Sequence, residues 1–236
     1  MNYGFIKVAA ASPKVIVADT EHNAREIIGA AEAAASRGVK LLVTPELGVT
    51  AYTCGDLFLQ RRLITAADAA VGEIAAATAG LDMVLVIGAP VRRGASLFNC
   101  ALVVYHGEVL GVVPKTNIPN YGEFYELRHF TPAPECGGTI AVAGREVPFG
   151  TDLVFSCREM PEFSFGCEIC EDLWVPAPPS VRLAEAGAMI ICNLSASDET
   201  VGKAAYRRSL VADQSARLLA GYIYADAGCG ESTQDM

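Results

Sequence analysis

Hydrophobic positions along the chain follow two periods, and the switching between them predicts alternating strands and helices. Residues 5–11 read as a first strand. After breaks at Ser12-Pro13 and Asp19-Thr20, the residues Ala24, Ile27, Ile28, Ala31 and Ala35 fall on one helical stripe. Asp19 or Thr20 can cap its start, and Gly38 can end it in the left-handed conformation that helix termini favour. Residues 40–44 then form a short apolar strand, so strand, helix and strand make the crossover unit of an α/β fold. A second, alanine-rich helix is predicted over 56–78, with Leu57, Ile64, Val71 and Ile74 inward and Gly80 as its stop, followed by a strand at 83–88.

The pattern then changes. Runs at 97–105 and 109–113 are joined by His106-Gly107-Glu108, which predicts a hairpin and therefore a mixed sheet. The loop 114–130 is crowded with aromatics and charges, a composition that marks a functional loop inside a compact domain. Gly and Pro throughout 132–150 predict an irregular excursion with one short strand at 139–142. Strands at 154–156, 163–169, 189–193 and 222–225, a short helix ending at Gly187 and a helix over 203–219 complete the expected elements. With neither an internal repeat nor a low-complexity linker, residues 1–236 read as one α/β domain.

Three strand ends carry chemistry. In 163–169, Phe163, Phe165, Cys167 and Ile169 alternate with Ser164, Gly166 and Glu168, and the run stops in Cys170-Glu171-Asp172 and the only tryptophan, Trp174. The mouth of an α/β sheet is where reactive side chains gather. Pro45 cannot donate to a sheet ladder and so delivers Glu46 at the end of 40–44; Lys115 follows Pro114 in the same way. Acid, ammonium and thiol at one rim would make a reaction centre, since a carboxylate can take a thiol proton and a lysine can hold developing negative charge. On spacing alone, three unrelated surface residues fit equally well.

Composition narrows the classes. A net charge of −9, with the basic pairs Arg61-Arg62, Arg92-Arg93 and Arg207-Arg208 isolated, argues against a nucleic-acid or anionic-membrane surface. No apolar run approaches the roughly eighteen residues that cross a bilayer, and the first residues lack a secretory pattern, so a cytoplasmic protein is expected. The eight cysteines are scattered. Only Cys167 and Cys170 have ligand-pair spacing, and a strand running through 170 would put their sulfurs on opposite faces, so no metal site is expected.

The chain resembles the nitrilase superfamily of carbon-nitrogen hydrolases, on Pro45-Glu46, Pro114-Lys115 and Cys170-Glu171-Asp172, each after a strand. With Tyr121-Gly122-Glu123-Phe124-Tyr125-Glu126 and Asn193-Leu194-Ser195-Ala196-Ser197, it is most similar to the glutaminase domain of glutamine-dependent NAD synthetases. The resemblance implies a four-layer α-β-β-α sandwich of mixed sheets. It implies Cys170 as nucleophile, Glu46 as base, Lys115 with a backbone amide near Cys170 as oxyanion holder, and Glu126 as a second acid orienting Lys115 or the substrate amide. Glutamine would meet Tyr52, Tyr121, Phe124, Glu171 and Ser197, with Arg207 as a further carboxylate partner. No cofactor is implied for glutamine hydrolysis. ATP, magnesium and deamido-NAD belong to a synthetase domain, in cis or in trans, whose Ser-Gly-Gly-x-Asp-Ser phosphate loop does not occur in this sequence. Residues 230–236 coincide with the start of the family's last strand, so the domain is expected to be cut short. Pairing of sandwiches into a homo-oligomer is also implied. The alternatives are an amidase or carbamoylase acting on another small amide, which would need no charged groups for α-substituents, and a non-catalytic interaction module.

Overall fold

Leu41 and Leu42, adjacent in one strand, enter different cores, and that parity sets the layering. The computed structural model describes residues 4–232. In it Leu42 packs with helices α1 (Thr20–Ser36) and α2 (Arg61–Ala77), while Leu41 and Val43 face a second sheet. The first sheet contains β1 (Val8–Ala10), β2 (Leu41–Val43), β3 (Val84–Arg93), β4 (Ser96–Tyr105), β5 (Glu108–Pro114), β6 (Gly138–Val142) and β7 (Arg145–Phe149), in the order β1-β2-β3-β4-β5-β7-β6. It is mixed: β1, β2 and β3 run parallel, and β3, β4 and β5 antiparallel. The second contains β8 (Phe155–Ser156), β9 (Ser164–Ile169), β10 (Ile190–Ser195) and β11 (Gly221–Asp226), in the order β11-β10-β9-β8, with β9, β10 and β11 parallel.

Between the sheets Val86, Val103 and Val113 meet Phe165, Cys167, Ile169, Cys192 and Leu194. On the outer face of the second sheet, Leu183 of α3 (Pro179–Glu185) packs with Ile191, Ala188 and Ala220, and Leu218 at the end of α4 (Lys203–Leu218) joins them. Helices, sheet, sheet and helices thus form the four layers that the resemblance implied. Strand β9 is buried on both faces, so its alternation separates two interiors: Phe165, Cys167 and Ile169 face the inter-sheet core, and Gly166 faces Leu183. A Cβ at 166 would lie 2.9 Å from Leu183.

Three expectations need correction. The helix predicted over 56–78 is two pieces. A 3-10 segment (Tyr52–Leu59) breaks at Gly55, whose φ is 52°, and α2 begins only at Arg61 after the extended Gln60, leaving Leu57 exposed. Its end is Thr78, whose hydroxyl donates to the Ile74 carbonyl at 2.8 Å, two residues before Gly80. The strand expected to stop at 88 continues to Arg93. Strand β2 pairs only with residues 84–86, so no strand is paired with β3 at Pro90 on that side and Pro90 breaks no ladder there. The excursion 132–150 holds two strands, joined at Ala143-Gly144 with φ of 48° and 74°, the positive values of a tight hairpin turn. The expected truncation falls partly on residues 233–236, outside the described residues. Among the described residues, no helix is long and apolar enough to cross a membrane.

Candidate active site

Glu46 is carried by a turn that only a glycine beneath it permits. Leaving β2, the chain bends at Pro45-Glu46-Leu47, with Leu47 at φ 50°, and rests on Gly88 of β3. A Cβ at 88 would lie 2.4 Å from the Leu47 nitrogen and 2.5 Å from the Pro45 oxygen. The Glu46 amide donates to the Ser195 carbonyl at 3.3 Å, and its Oε2 accepts from the Ala196 amide at 3.0 Å, which ties the turn to the second sheet. Its Oε1 accepts from Lys115 Nζ and Asn99 Nδ2, each at 2.6 Å.

Lys115 leaves β5 with its amide on the Asn99 carbonyl at 2.8 Å, and its ammonium, wholly buried, also donates to Glu126 Oε1 at 2.7 Å. Glu126 opens a single 3-10 turn (Glu126–Arg128) in the aromatic loop and accepts from the Tyr52 hydroxyl at 2.9 Å. The expected second acid is therefore in contact with Lys115 itself, and Tyr52 joins the same buried ring. Asn99 closes it, with Nδ2 3.4 Å from Glu126 Oε2. Sequence reasoning missed Asn99: a lone polar residue between Phe98 and Cys100 in a strand carries no signal beyond alternation.

Cys170 does not continue the strand. β9 ends at Ile169, and Cys170 begins a 3-10 turn (Cys170–Leu173) at φ 45°, a conformation that costs a residue with a Cβ roughly 1–2 kcal/mol. Its amide donates to Asn193 Oδ1 at 3.2 Å. Asp172, wholly buried and also missed, clamps the turn to the Lys115 loop. It accepts from the amides of Ile169 at 3.0 Å, Asn117 at 2.7 Å and Thr116 at 3.3 Å, and from Asn117 Nδ2 at 2.8 Å. Cys167, by contrast, lies in the inter-sheet core beside Cys192. Among the described residues, no group of three or more His, Cys, Asp or Glu is arranged to hold a metal ion.

Burial raises the Glu46 carboxyl to about 7, against the pull of Lys115. Burial also opposes the Lys115 ammonium, but Glu126 and Glu46 outweigh it and hold the ammonium well above its ordinary range. The Cys170 thiol is pushed well up by burial and by Glu46, with Lys115 opposing. A neutral thiol beside a carboxylate that exchanges its proton near neutrality is the resting arrangement that a base-assisted nucleophile needs.

Around this centre, the half-buried Glu171 accepts from the Tyr121 hydroxyl at 2.9 and 3.1 Å, and Tyr121 packs edge-on to Phe124. Ser197 donates its amide to Asp226 at 2.9 Å and accepts from Arg207 at 3.2 Å. Arg207 is already shared between carboxylates, 2.6 Å from Glu199 and 3.5 Å from Asp226, so it buttresses Ser197. Lys203, which the sequence did not single out, is paired with Asp198 and stands over the rings of Phe124 and Trp174, 5.8 and 5.3 Å from their centroids. The turn with the acid at one strand end, the ammonium at another and the thiol at a third therefore converge, while the remaining candidates form a polar and aromatic rim.

Comparison with known proteins agrees with this geometry. The chain is 44% identical over 234 residues to the glutamine-dependent NAD(+) synthetase of Mycobacterium tuberculosis H37Rv, covering 99% of this chain and 34% of that protein. It thus spans about a third of the length of such relatives. A crystal structure of a glutamine-dependent NAD(+) synthetase from Cytophaga hutchinsonii superposes with a TM-score of 0.83 at 33% identity, over 94% of this chain and 36% of that one. An amidase of the nitrilase superfamily from Nesterenkonia shares the fold, with a TM-score of 0.71 at 21% identity over 94% of this chain and 76% of its own. The carbon-nitrogen hydrolase pattern matches residues 7–229, and the chain belongs to that family.

Proposed function

We propose that this domain hydrolyses the side-chain amide of glutamine through a thioester on Cys170. The observation that carries the reading is the buried Glu46–Lys115–Glu126 ring, set at the strand ends beside the Cys170 turn. Glu46 takes the Cys170 proton as the sulfur attacks the carboxamide carbon. The oxyanion is held by the Lys115 ammonium and by a backbone amide; the Cys170 amide is itself committed to Asn193, so the donor comes from a neighbouring peptide. As the tetrahedral adduct collapses, Glu46 returns the proton to the leaving nitrogen, and ammonia departs. Water then gives a proton to Glu46 and attacks the thioester, and Cys170 leaves as a thiol with glutamate as product.

Recognition of a zwitterion supports glutamine over a simple amide. Glu171, oriented by Tyr121, offers a carboxylate for the α-ammonium, and Ser197, held by Arg207, offers its hydroxyl to the α-carboxylate. Tyr52 and Phe124 complete the expected contacts. The hydrolysis itself needs no cofactor. We further propose that the ammonia serves an ATP- and magnesium-dependent conversion of deamido-NAD to NAD on a synthetase domain, in cis or in trans, a reading that rests on the similarity to glutamine-dependent NAD synthetases. A diazo-ketone analogue of glutamine tests the first step. It is expected to label Cys170 rapidly, and glutamine should protect; labelling indifferent to glutamine sinks the glutaminase.

A further inference from the structure

The Cys170 amide is one end of a buried chain of hydrogen bonds that crosses the second sheet. It donates to Asn193 Oδ1 on β10, which also accepts from the Ser195 hydroxyl at 2.8 Å. Asn193 Nδ2 donates to the Tyr222 oxygen on β11 at 3.0 Å, and the Tyr222 hydroxyl donates to Glu168 Oε1 on β9. Glu168 Oε2 accepts from the Ser180 amide at the start of α3 at 2.8 Å. Asn193, Glu168 and Ser180 are no more than 1% exposed.

The chain has a direction. The Tyr222 hydroxyl has one proton and points it at Glu168 Oε1, which leaves the tyrosine oxygen to receive Asn193 Nδ2. The asparagine amide is thereby fixed with Oδ1, and not Nδ2, toward the Cys170 N–H. A flipped amide would set donor against donor at the residue whose φ of 45° most needs an anchor. Glu168 lies outside the catalytic ring, hydrogen-bonded to α3, and the hydrolysis proposed above gives it no step.

We propose that Glu168, Tyr222 and Asn193 are positioning residues, which hold the Cys170 peptide in its left-handed conformation and so aim the thiol into the Glu46–Lys115 ring. The inference rests on Cys170 being the nucleophile. Tyr222→Phe tests it, because it keeps the ring and removes both links at once. Labelling of Cys170 by the diazo-ketone is expected to slow by about tenfold to a hundredfold at temperatures where the variant remains folded, with glutamine kcat falling in step and KM unchanged. Glu168→Gln should slow labelling less, and the double variant no more than Tyr222→Phe alone, since all act through one chain. A lowered melting temperature with labelling and kcat unchanged, or additive slowing in the double variant, overturns the proposal. If Tyr222→Phe does not fold, Glu168→Gln alone decides, with wild-type labelling as the overturning result. A wild-type Cys170 that never labels would instead defeat the glutaminase reading itself.

Discussion

Glu46 and Glu168 are carboxylates with the same burial and opposite company. Each is 1% exposed, and burial lifts each to about 7. Glu46 stands at a strand end among an ammonium, an amide side chain and the Ala196 amide, and its charge acts on the Cys170 thiol. Glu168 sits within β9 and receives neutral donors, a tyrosine hydroxyl and a backbone amide. A perturbed carboxyl is therefore not by itself a catalytic one. What separates the two is a charged partner, placed at the end of a strand, that can stabilise a reacting group.

The comparison breaks most completely at Lys115. Lys115→Ala leaves Glu46 and Glu126 buried without their cation, and is expected to destabilise the domain by about 3–5 kcal/mol. Loss of the oxyanion donor should lower kcat/KM by roughly 10²- to 10³-fold or more. Urea unfolding and glutamine turnover measure the two effects separately.

Gly88→Ala reaches Glu46 without touching a charge. The added methyl meets backbone at 2.4 Å, so the Glu46 turn must move, at a cost of about 1–3 kcal/mol in stability and about a hundredfold in kcat/KM. Native-like activity in this variant would show that the turn is more compliant than its packing indicates.

The pH dependence sharpens the contrast. Glu46 must be ionised to accept the thiol proton, so kcat/KM should rise with pH, with a midpoint of about 7, to a plateau above it. Glu46→Gln should remove that limb at a level roughly 10²- to 10⁴-fold lower. A profile that rises as pH falls would exclude Glu46 as the base.

Glu168 should register in stability more than in rate. Its carboxyl is raised in the folded state from 4.5 to about 7, so its contribution is fully present below 4.5 and is lost as pH rises through about 7. Melting temperatures compared at pH 5 and pH 8 should therefore show a decline in the wild type that Glu168→Gln reduces.

Glu46, Lys115 and Cys170 were legible in the sequence because each is a polar residue thrown up where an apolar run stops. The layers were legible for a related reason: α1 and α2 carry clear helical stripes, and β9 alternates. Residues that support the site left no such mark. Asn99 and Asp172 are polar groups whose partners lie 53 and 55 positions away, at Glu46 and Asn117, and nothing local announces them. The break before α2 falls at the extended Gln60, a residue with no turn preference to mark it, and β7 was hidden because Pro148 and the Ala143-Gly144 turn look like loop material. Short-range pattern reports which side of an element is buried; it says little about which buried groups find one another.

The buried polar ring and the Cys170 turn together straddle the sandwich. Glu46, Asn99 and Lys115 belong to the seven-stranded sheet, whereas Cys170, Asn193 and Ala196 belong to the four-stranded one, and the Glu46–Ala196 bond spans the two. The centre is in effect a caliper set across the inter-sheet core. Its opening is set by how the two sheets pack on each other, not by the strand pairing within either. Val103 and Cys192, buried in the core between the two sheets, are thereby among the residues that set the gap which the caliper spans.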